Sequence, residues 1–480
     1  MELREYCALD ATDLARIIAE REVEVAQVKA CAYKAIAATN ETLNAVIETW
    51  EADEPCEKMG DWGLLRGVPY LVKDLPFEKG RTCEMGSQLG KGVVCQEDSA
   101  VVDRLRTAGA LSVGRTTTSE FALAAVTENR VTGQTANPWA PDRSAAGSSG
   151  GSASAVAAGM VPFALGNDGG GSIRMPASFC GLVGLKPSRG RVTCAPDPTL
   201  NYSGLVVPFA LTRSVRDAAL LLDCTQGAAV GDDVVIVQPK GSYVASIKEA
   251  TPPLRIGVAT EPWSGVKVDG DVKEAVSRVA EQCAELGHEV QISRPQFDFD
   301  RYLEAQKAIW SAYAHADIAA LGRETGREPS ESNLQSSTLA VYERGRAMLS
   351  EDLINALQTY HAVTRDVAKW FETFDVLLTP TCAITPRPLG AYDPDAKNLS
   401  VDSFFEEQLA PHESFTSLAN CTGQPAISLP IRQSRDGLPI GIQIMTRFGD
   451  EKTLLQMGAQ LEQVNPQGRE SLPLIHSGRT

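Results

Sequence analysis

Two glycine- and serine-rich turns constrain this chain more than any other feature of its sequence. The first, GSSGGS, spans residues 147–152, and the second, DGGGSIR, spans residues 168–174. Because glycine has no side chain, the backbone of such a turn can approach a bound molecule closely and point bare N–H groups at a developing negative charge. A serine hydroxyl beside those N–H groups is typical of a site for acyl transfer.

The segments around the two turns predict regular structure. GSSGGS alone is also typical of a flexible linker. Here, however, it leads directly into alanine-rich residues 152–158, which predict a helix, and residues 161–166 predict a strand that enters the second turn. Upstream, apolar residues 67–72 predict a strand that delivers Lys73 at its end. Alternating helices and strands favour an α/β layered fold.

These same segments resemble the amidase signature family. The match is close over residues 67–191 and recurs more loosely at 375–381, 423–430 and 437–443. A lone GSSGGS would be weak evidence, but the two turns, the upstream lysine and the RMPA segment at 174–177 are strong evidence together. The resemblance implies one domain over residues 1–480, with α/β/α layers around a large, mixed, twisted β-sheet.

The resemblance also implies a role for each residue of the two turns. Ser172 would be the nucleophile, Ser148 the proton relay and Lys73 the terminal base, with a cis peptide bond before Ser148. The other implied positions are the oxyanion-hole residues Gly169, Gly170 and Gly171, together with the N–H of Ser172, and the supporting residues Ser149, Asp168 and Arg174. The family commonly carries Thr or Ile at the position of Gly169, so we expect a more flexible loop and a wider pocket here.

The residues themselves leave two bases open. A serine hydroxyl is a poor nucleophile without a base to accept its proton. Histidine is the usual base, but none of the five histidines lies in a Gly/Ser-rich turn, which makes a Ser-His-Asp site the weaker alternative: His288, His315, His361, His412 and His476. A lysine can act only when neutral, and the apolar residues around Lys73 predict burial and a lowered pKa. A single lysine is otherwise most often a solvated surface charge.

Composition limits the partners. With 45 Lys and Arg against 61 Asp and Glu, the net charge of −16 disfavours nucleic acid, whose binding depends on basic side chains. No apolar run reaches the roughly 18–20 residues that span a bilayer, and the charged start is unlike a signal peptide, so we expect a cytoplasmic monomer or homodimer. The eleven cysteines show neither disulfide nor zinc spacing, and Cys180 is interpreted as a packing residue. We expect no metal and no cofactor.

Residues 299–371 show long helical patterns that are rich in aromatic side chains. A helical insert of this kind often covers a site. For any single aromatic residue, an ordinary core position is the more frequent case. We therefore predict a helical cover without assigning a role to any one of its aromatic residues.

The substrate is predicted from one short segment. By resemblance, Ala122, Leu123, Ala124 and Ala125 lie near the pocket, and their small apolar side chains favour an apolar or aryl acyl group. The expected function is that of a serine hydrolase that cleaves the C–N bond of neutral amides through an acyl-enzyme, with carbamates (urethanes) or esters as further substrates. The alternative is the glutamine-hydrolysing subunit of a tRNA-dependent amidotransferase.

Overall fold

One mixed sheet of eleven strands runs through the molecule. The structure, a computed structural model, describes residues 1–51, 63–75, 77–198 and 200–466. The strands in chain order are β1 (Val46–Thr49), β2 (Pro69–Lys73), β3 (Leu111–Thr116), β4 (Glu128–Asn129), β5 (Gly133–Gln134), β6 (Ala136–Asn137), β7 (Ala140–Ser144), β8 (Phe163–Asp168), β9 (Val183–Lys186), β10 (Val207–Thr212), β11 (Arg255–Val258), β12 (Glu289–Ile292), β13 (Val376–Pro380), β14 (Ala426–Gln433) and β15 (Pro439–Thr446). Across the large sheet the order is β1-β3-β2-β8-β10-β9-β14-β15-β13-β11-β12.

Helices surround this sheet. They are α1 (Leu3–Ala8), α2 (Ala11–Ala19), α3 (Val25–Leu43), α4 (Ala100–Thr107), α5 (Gly150–Ala157), α6 (Arg174–Cys180), α7 (Val215–Thr225), α8 (Tyr243–Ser246), α9 (Gly270–Glu285), α10 (Phe299–Thr325), α11 (Ser336–Ala347), α12 (Ser350–Thr373), α13 (Val401–Ser403), α14 (Ala410–Glu413), α15 (Ser417–Thr422) and α16 (Glu451–Val464). A π-helical segment, Phe404–Leu409, joins α13 to α14. Among the described residues, none of these helices is both long and apolar enough to cross a bilayer.

Both faces of the sheet are covered. Side chains alternate between the two faces of a strand, yet every residue of β9, β10, β13 and β15 is buried. β2 pairs in parallel with β3 and β8, whereas β10 pairs antiparallel with β8 and β9. The prediction of an α/β fold around a large mixed sheet is therefore confirmed.

Most predicted elements are present, with shifted ends. The predicted helix at 152–158 is α5, which begins two residues earlier, at Gly150. The strand predicted to end at residue 166 continues to Asp168, because β10 pairs with it as far as Val207 opposite Asp168. Pairing with a distant strand is invisible to a local pattern.

The topology brings the two turns and the lysine to one edge of the sheet. β2 and β8 are parallel neighbours, with Tyr70 opposite Phe163 and Leu71 opposite Ala164. Their carboxyl ends therefore lie side by side. Lys73 is the last residue of β2, and the second turn follows β8. The sheet therefore brings Lys73 and the second turn, which are far apart in sequence, into one site.

Candidate active site

Lys73 lies beside the first serine turn. Its Nζ is 2.6 Å from Ser148 Oγ and also donates to Asn167 Oδ1 at 2.6 Å. Lys73 and Ser148 are completely buried, whereas Ser172 retains 8 % of its surface. Of these three side chains, Ser172 is therefore the one that an incoming molecule can reach.

Burial dominates the chemistry of the lysine. The loss of hydration lowers the pKa of Lys73 well below its usual value, although the charges of Asp168 and Asp74 act in the opposite direction. The carboxylate of Asp74 is already bonded to Arg115 at 2.6 Å, which spreads its charge over a neighbouring cation. A lysine in this setting can be neutral and can therefore accept a proton.

Backbone hydrogen bonds connect the first turn to the second. The Gly147–Ser148 peptide bond is cis. The Ser148 carbonyl accepts from the hydroxyls of Thr118 and Thr127, each at 3.2 Å. The N–H of Ser149 donates to the carbonyl of Ser172 at 3.2 Å. Ser149 thus ties the two turns together through its backbone.

A buried ion pair supports the second turn. Arg174 Nη2 lies 2.7 Å from Asp168 Oδ1, and both side chains are fully buried. Burial alone would raise the pKa of Asp168, but the charge and hydrogen bonds of Arg174, aided by Asn420, hold this pKa at about 2. Arg174 Nη1 also donates to the carbonyl of Thr416 at 2.7 Å. The loop between Asp168 and Arg174 is therefore held from both ends and from the C-terminal part of the chain.

The glycines of the second turn occupy space that no side chain could share. Gly171 has a φ of +143°, and a Cβ there would lie 2.3 Å from Thr416 Oγ1. That same hydroxyl donates to the carbonyl of Gly170 at 2.6 Å. Thr416 therefore fixes the direction of the Gly170 peptide, and this contact depends on glycine at position 171.

The space beside Gly169 is filled, whereas a wider pocket was expected there. A Cβ at this position would lie 2.8 Å from Trp310 Cη2 and 3.0 Å from a methyl group of Val206. The Trp310 ring, which α10 provides, fills the room that a side chain at position 169 would occupy. The absence of a side chain on the loop is thus compensated by a large ring against it.

Two cavities meet at Ser172. The smaller and less open of the two, called the closed pocket below, spans about 390 Å³ including open solvent and is lined by the predicted segment Ala122, Leu123, Ala124 and Ala125, together with Gly170 and Ser172. A wide cleft of about 1990 Å³, which includes open solvent, reaches Ser172 from the side of Asn167 and Gly169. Trp310 lines both cavities. The nucleophile candidate thus lies between a small, less open pocket and a wide, open cleft.

Sequence reasoning missed several residues of this site. Asn167 lies between the predicted strand and the second turn, and no role was predicted for it. Trp310 was interpreted as a member of the helical cover, more often a core position, whereas it contacts the loop directly. Thr416 and Glu413 lie a few residues before the segment at 423–430 that resembles the family, so no motif marked them.

The histidine-based alternative has no support among the described residues around Ser172. Of the four histidines within the described residues, none lines either cavity. In that same part of the chain, no group of three or more His, Cys, Asp or Glu could hold a metal ion. Cys180 is completely buried, and its Sγ faces the Ala145 carbonyl at 3.8 Å, which agrees with a packing role.

Comparison with known proteins identifies the family. A family model described as Amidase matches residues 27–455. The chain belongs to the amidase signature family of amide-hydrolysing enzymes. It is 34 % identical over 471 residues to the 6-aminohexanoate-cyclic-dimer hydrolase of Paenarthrobacter ureafaciens, covering 95 % of each chain.

Solved structures agree with this assignment. A structure of 6-aminohexanoate cyclic dimer hydrolase complexed with substrate superposes with a TM-score of 0.91 at 32 % identity, covering 98 % of this chain and 99 % of the other. A bacterial aryl acylamidase of the amidase signature family superposes with a TM-score of 0.85 at 24 % identity, covering 98 % and 99 %. The second similarity, at this identity, speaks for the fold alone.

Proposed function

We propose that this amidase cleaves its substrate through an acyl-enzyme on Ser172, with Ser148 as proton relay and Lys73 as terminal base. The observation that carries the proposal is the buried contact of 2.6 Å between Lys73 Nζ and Ser148 Oγ. A lysine with a pKa well below its usual value can take the Ser148 proton at neutral pH, whereas a charged lysine cannot.

The reaction then follows from the arrangement of donors. Ser172 Oγ attacks the amide carbonyl while its proton passes to Ser148 and the Ser148 proton passes to Lys73. The N–H groups of Gly169, Gly170, Gly171 and Ser172 stabilise the oxyanion, where loss of one donor typically costs about 3–4 kcal/mol. As the C–N bond breaks, Ser148 gives one proton to the departing nitrogen and regains one from Lys73. Water then attacks the acyl-enzyme while its proton passes through Ser148 to Lys73, and as the ester C–O bond breaks that proton returns through Ser148 to Ser172 Oγ and the acid is released.

The two cavities suggest where each half of the substrate lies. The amine departs after acylation, so it needs a path to solvent, whereas the acyl group stays attached to Ser172 until hydrolysis. We therefore assign the acyl group to the closed pocket and the leaving group to the wide cleft. The closed pocket has a largely apolar lining, which includes Met175, Trp310 and Phe404. Such a lining favours neutral apolar or aryl acyl groups.

The relationship to the cyclic-dimer hydrolase supports medium-chain amides as substrates of this enzyme as well. We infer that linear anilides of hexanoic acid and cyclic amides built from 6-aminohexanoate are both accepted. Carbamates and esters present the same carbonyl to Ser172, so slower turnover of these compounds is expected. Glutamine carries a charged amino-acid group that an apolar pocket does not solvate.

A substrate panel tests this proposal. The purified chain is assayed with hexanoyl 4-nitroanilide, 6-aminohexanoate cyclic dimer, a 4-nitrophenyl carbamate, the corresponding ester and glutamine. We expect kcat/KM for the anilide or the cyclic dimer to exceed that for glutamine by at least about 100-fold, because a buried apolar wall rejects charge strongly. A preference for glutamine, or activity only with an added partner protein and tRNA, would instead support an amidotransferase subunit.

A further inference from the structure

A carboxyl group opens into the otherwise largely apolar closed pocket. Glu413, the last residue of α14, lines this pocket together with Ser172 and Gly170. Its neighbours in the lining include Phe405 and Leu409, which offer no hydrogen bonds. The mechanism proposed above gives this carboxyl no task. A polar group retained in an apolar chamber usually fixes the orientation of a ligand.

The two oxygens of Glu413 differ in their partners. Oε1 accepts from Gln306 Nε2 at 3.0 Å. Oε2 receives no hydrogen bond from any residue that the structure describes, and it lies against the backbone of the second turn. A Cβ on Gly170 would approach Oε2 to 2.5 Å. The unpartnered oxygen is therefore next to the loop that carries the proposed oxyanion hole.

The surroundings of Glu413 favour the uncharged acid. Burial raises the pKa of Glu413 to about 8, against the hydrogen bond of Gln306 and the charge of Arg174, while the charge of Asp168 raises this pKa further. The other titratable groups that face it are the hydroxyls of Tyr302 and Tyr360. The adjacent His412 is neutral near pH 7, since burial lowers its pKa to about 4.

A neutral carboxyl has one proton to donate. Because Oε1 already accepts from Gln306, the proton belongs on Oε2, where it faces the pocket. An ionised carboxylate at the same place would oppose the negative charge that develops at the oxyanion hole. Both arguments lead to a donor beside the reacting carbonyl.

We propose that Glu413 is a substrate-binding residue whose Oε2–H donates a hydrogen bond to an oxygen atom in the acyl part of the substrate. The preferred acyl group is then a medium-length chain that carries a carbonyl or ether oxygen. A plain hydrocarbon chain of the same length leaves this donor unpaired, and an aminoalkyl chain places a cation against it. The inference rests on the proposed function, because it needs the acyl group to occupy the closed pocket.

An oxygen scan of the acyl chain tests this inference. The substrates are the 4-nitroanilide of hexanoic acid, its isosteres with one ether or keto oxygen at successive chain positions, and the 6-aminohexanoyl anilide. At pH 7 we expect at least one oxygen-bearing chain to exceed the plain chain in kcat/KM by about tenfold, which corresponds to one net hydrogen bond. The aminoalkyl chain should be no better than the plain one.

Two substitutions separate binding from a structural role. Glu413→Gln retains an N–H donor and should retain the oxygen preference, whereas Glu413→Leu should abolish it. The matched control is Glu406→Gln, since Glu406 lies in the neighbouring π-helical segment and bonds to Lys307, away from the pocket. It should leave the preference unchanged. If Glu413 had a merely structural role, its substitution would lower kcat/KM for every substrate by one common factor. The ratio of kcat/KM between oxygen-bearing and plain chains would then stay unchanged.

The pH profile gives an independent readout. In the wild type the preference for oxygen-bearing chains should fall above about pH 8, as Glu413 loses its proton. In Glu413→Gln the preference should persist at high pH.

The inference is overturned if no oxygen-bearing chain exceeds the plain chain in kcat/KM, or if the aminoalkyl chain has the highest kcat/KM. It is also overturned if Glu413→Gln and Glu413→Leu show the same ratio of kcat/KM between oxygen-bearing and plain chains. The plain hexanoyl anilide distinguishes this failure from failure of the proposed function. If that anilide is hydrolysed and the activity is lost in Ser172→Ala, only the role of Glu413 is refuted.

Discussion

At the scale of single residues, the protonation state of Lys73 controls the proposed reaction. Its folded-state pKa lies below the ordinary 10.5, and only the neutral amine accepts a proton. On hexanoyl anilide, kcat/KM should therefore rise with pH through the pKa of the free enzyme and then level off. Lys73→Arg, which is charged at every accessible pH, should lose at least about 10³-fold at all pH values. A wild-type profile that falls with pH over the same range would contradict a lysine base.

The same buried lysine should lower the stability of the fold. Between its folded-state pKa and 10.5, the unfolded chain binds the proton that the folded chain has released, so stability rises with pH in that window. Lys73→Met removes the free-energy cost of burying the lysine and releasing its proton on folding. Its melting temperature at pH 7 should exceed that of the wild type by about 2 °C or more, and the gap should narrow towards pH 10.

Lys186 offers a matched control for this measurement. It is also completely buried with a pKa lowered well below the usual value, chiefly by burial, and its Nζ donates to the Pro187 carbonyl. Lys186→Met should show the same dependence of stability on pH and keep activity within about tenfold. Equal loss of activity in both variants would mean that Lys73 acts through the fold and not through the reaction.

At the scale of elements, helix α10 substitutes for a missing side chain on the oxyanion loop. Gly169→Thr would push a Cβ into the Trp310 ring, whose Cη2 lies 2.8 Å from that position. This variant should lose activity by about tenfold or more, because small displacements of reacting groups are costly. Adding Trp310→Ala should restore part of the loss, which kcat/KM of the two single variants and the double variant measures. Strictly additive losses would refute the compensation.

Local patterns predicted the elements of this site better than its packing. The strand that carries Lys73 and the helix that follows Ser149 could be predicted, because apolar runs and alanine-rich segments act over a few residues. The contact between Gly169 and Trp310 joins residues far apart in sequence, so no window contains it. The expected loose loop followed from viewing the glycine without its partner. Glu413 escaped notice because no motif marks a single half-buried carboxyl.

At the scale of the whole molecule, the net negative charge of −16 extends into the approach to Ser172. The wide cleft has four acidic side chains, and no Lys or Arg is among its described lining residues: Glu97, Asp197, Asp317 and Glu324. Like charges within a screening length repel an anionic substrate and attract a cationic one. That the 480 residues form one domain stays a prediction, although the strands of the large sheet span Val46 to Thr446.

The negative charge of the cleft predicts a preference for cationic leaving groups. For one acyl group, amides of an amine that bears a second, cationic group should show higher kcat/KM than amides of an amino acid with a free carboxylate. The ratio should shrink between about 0.02 M and about 0.5 M NaCl, because salt screens exposed charges. Asp317→Asn should reduce the ratio as well. A ratio independent of salt would assign the preference to contacts other than charge.

The central claim is that Ser172 carries the acyl group. Wild-type enzyme is mixed with an activated hexanoyl ester, quenched in acid within the first turnover, digested and analysed by mass spectrometry. The peptide that contains Ser172 should gain the mass of one hexanoyl group, and Ser203→Ala, which removes a serine bonded to Tyr313 near the cleft, should behave like the wild type. Ser172→Ala should show neither the adduct nor more than about 10⁻³ of the turnover. An acyl group on another residue, or retained turnover in Ser172→Ala, would contradict the mechanism.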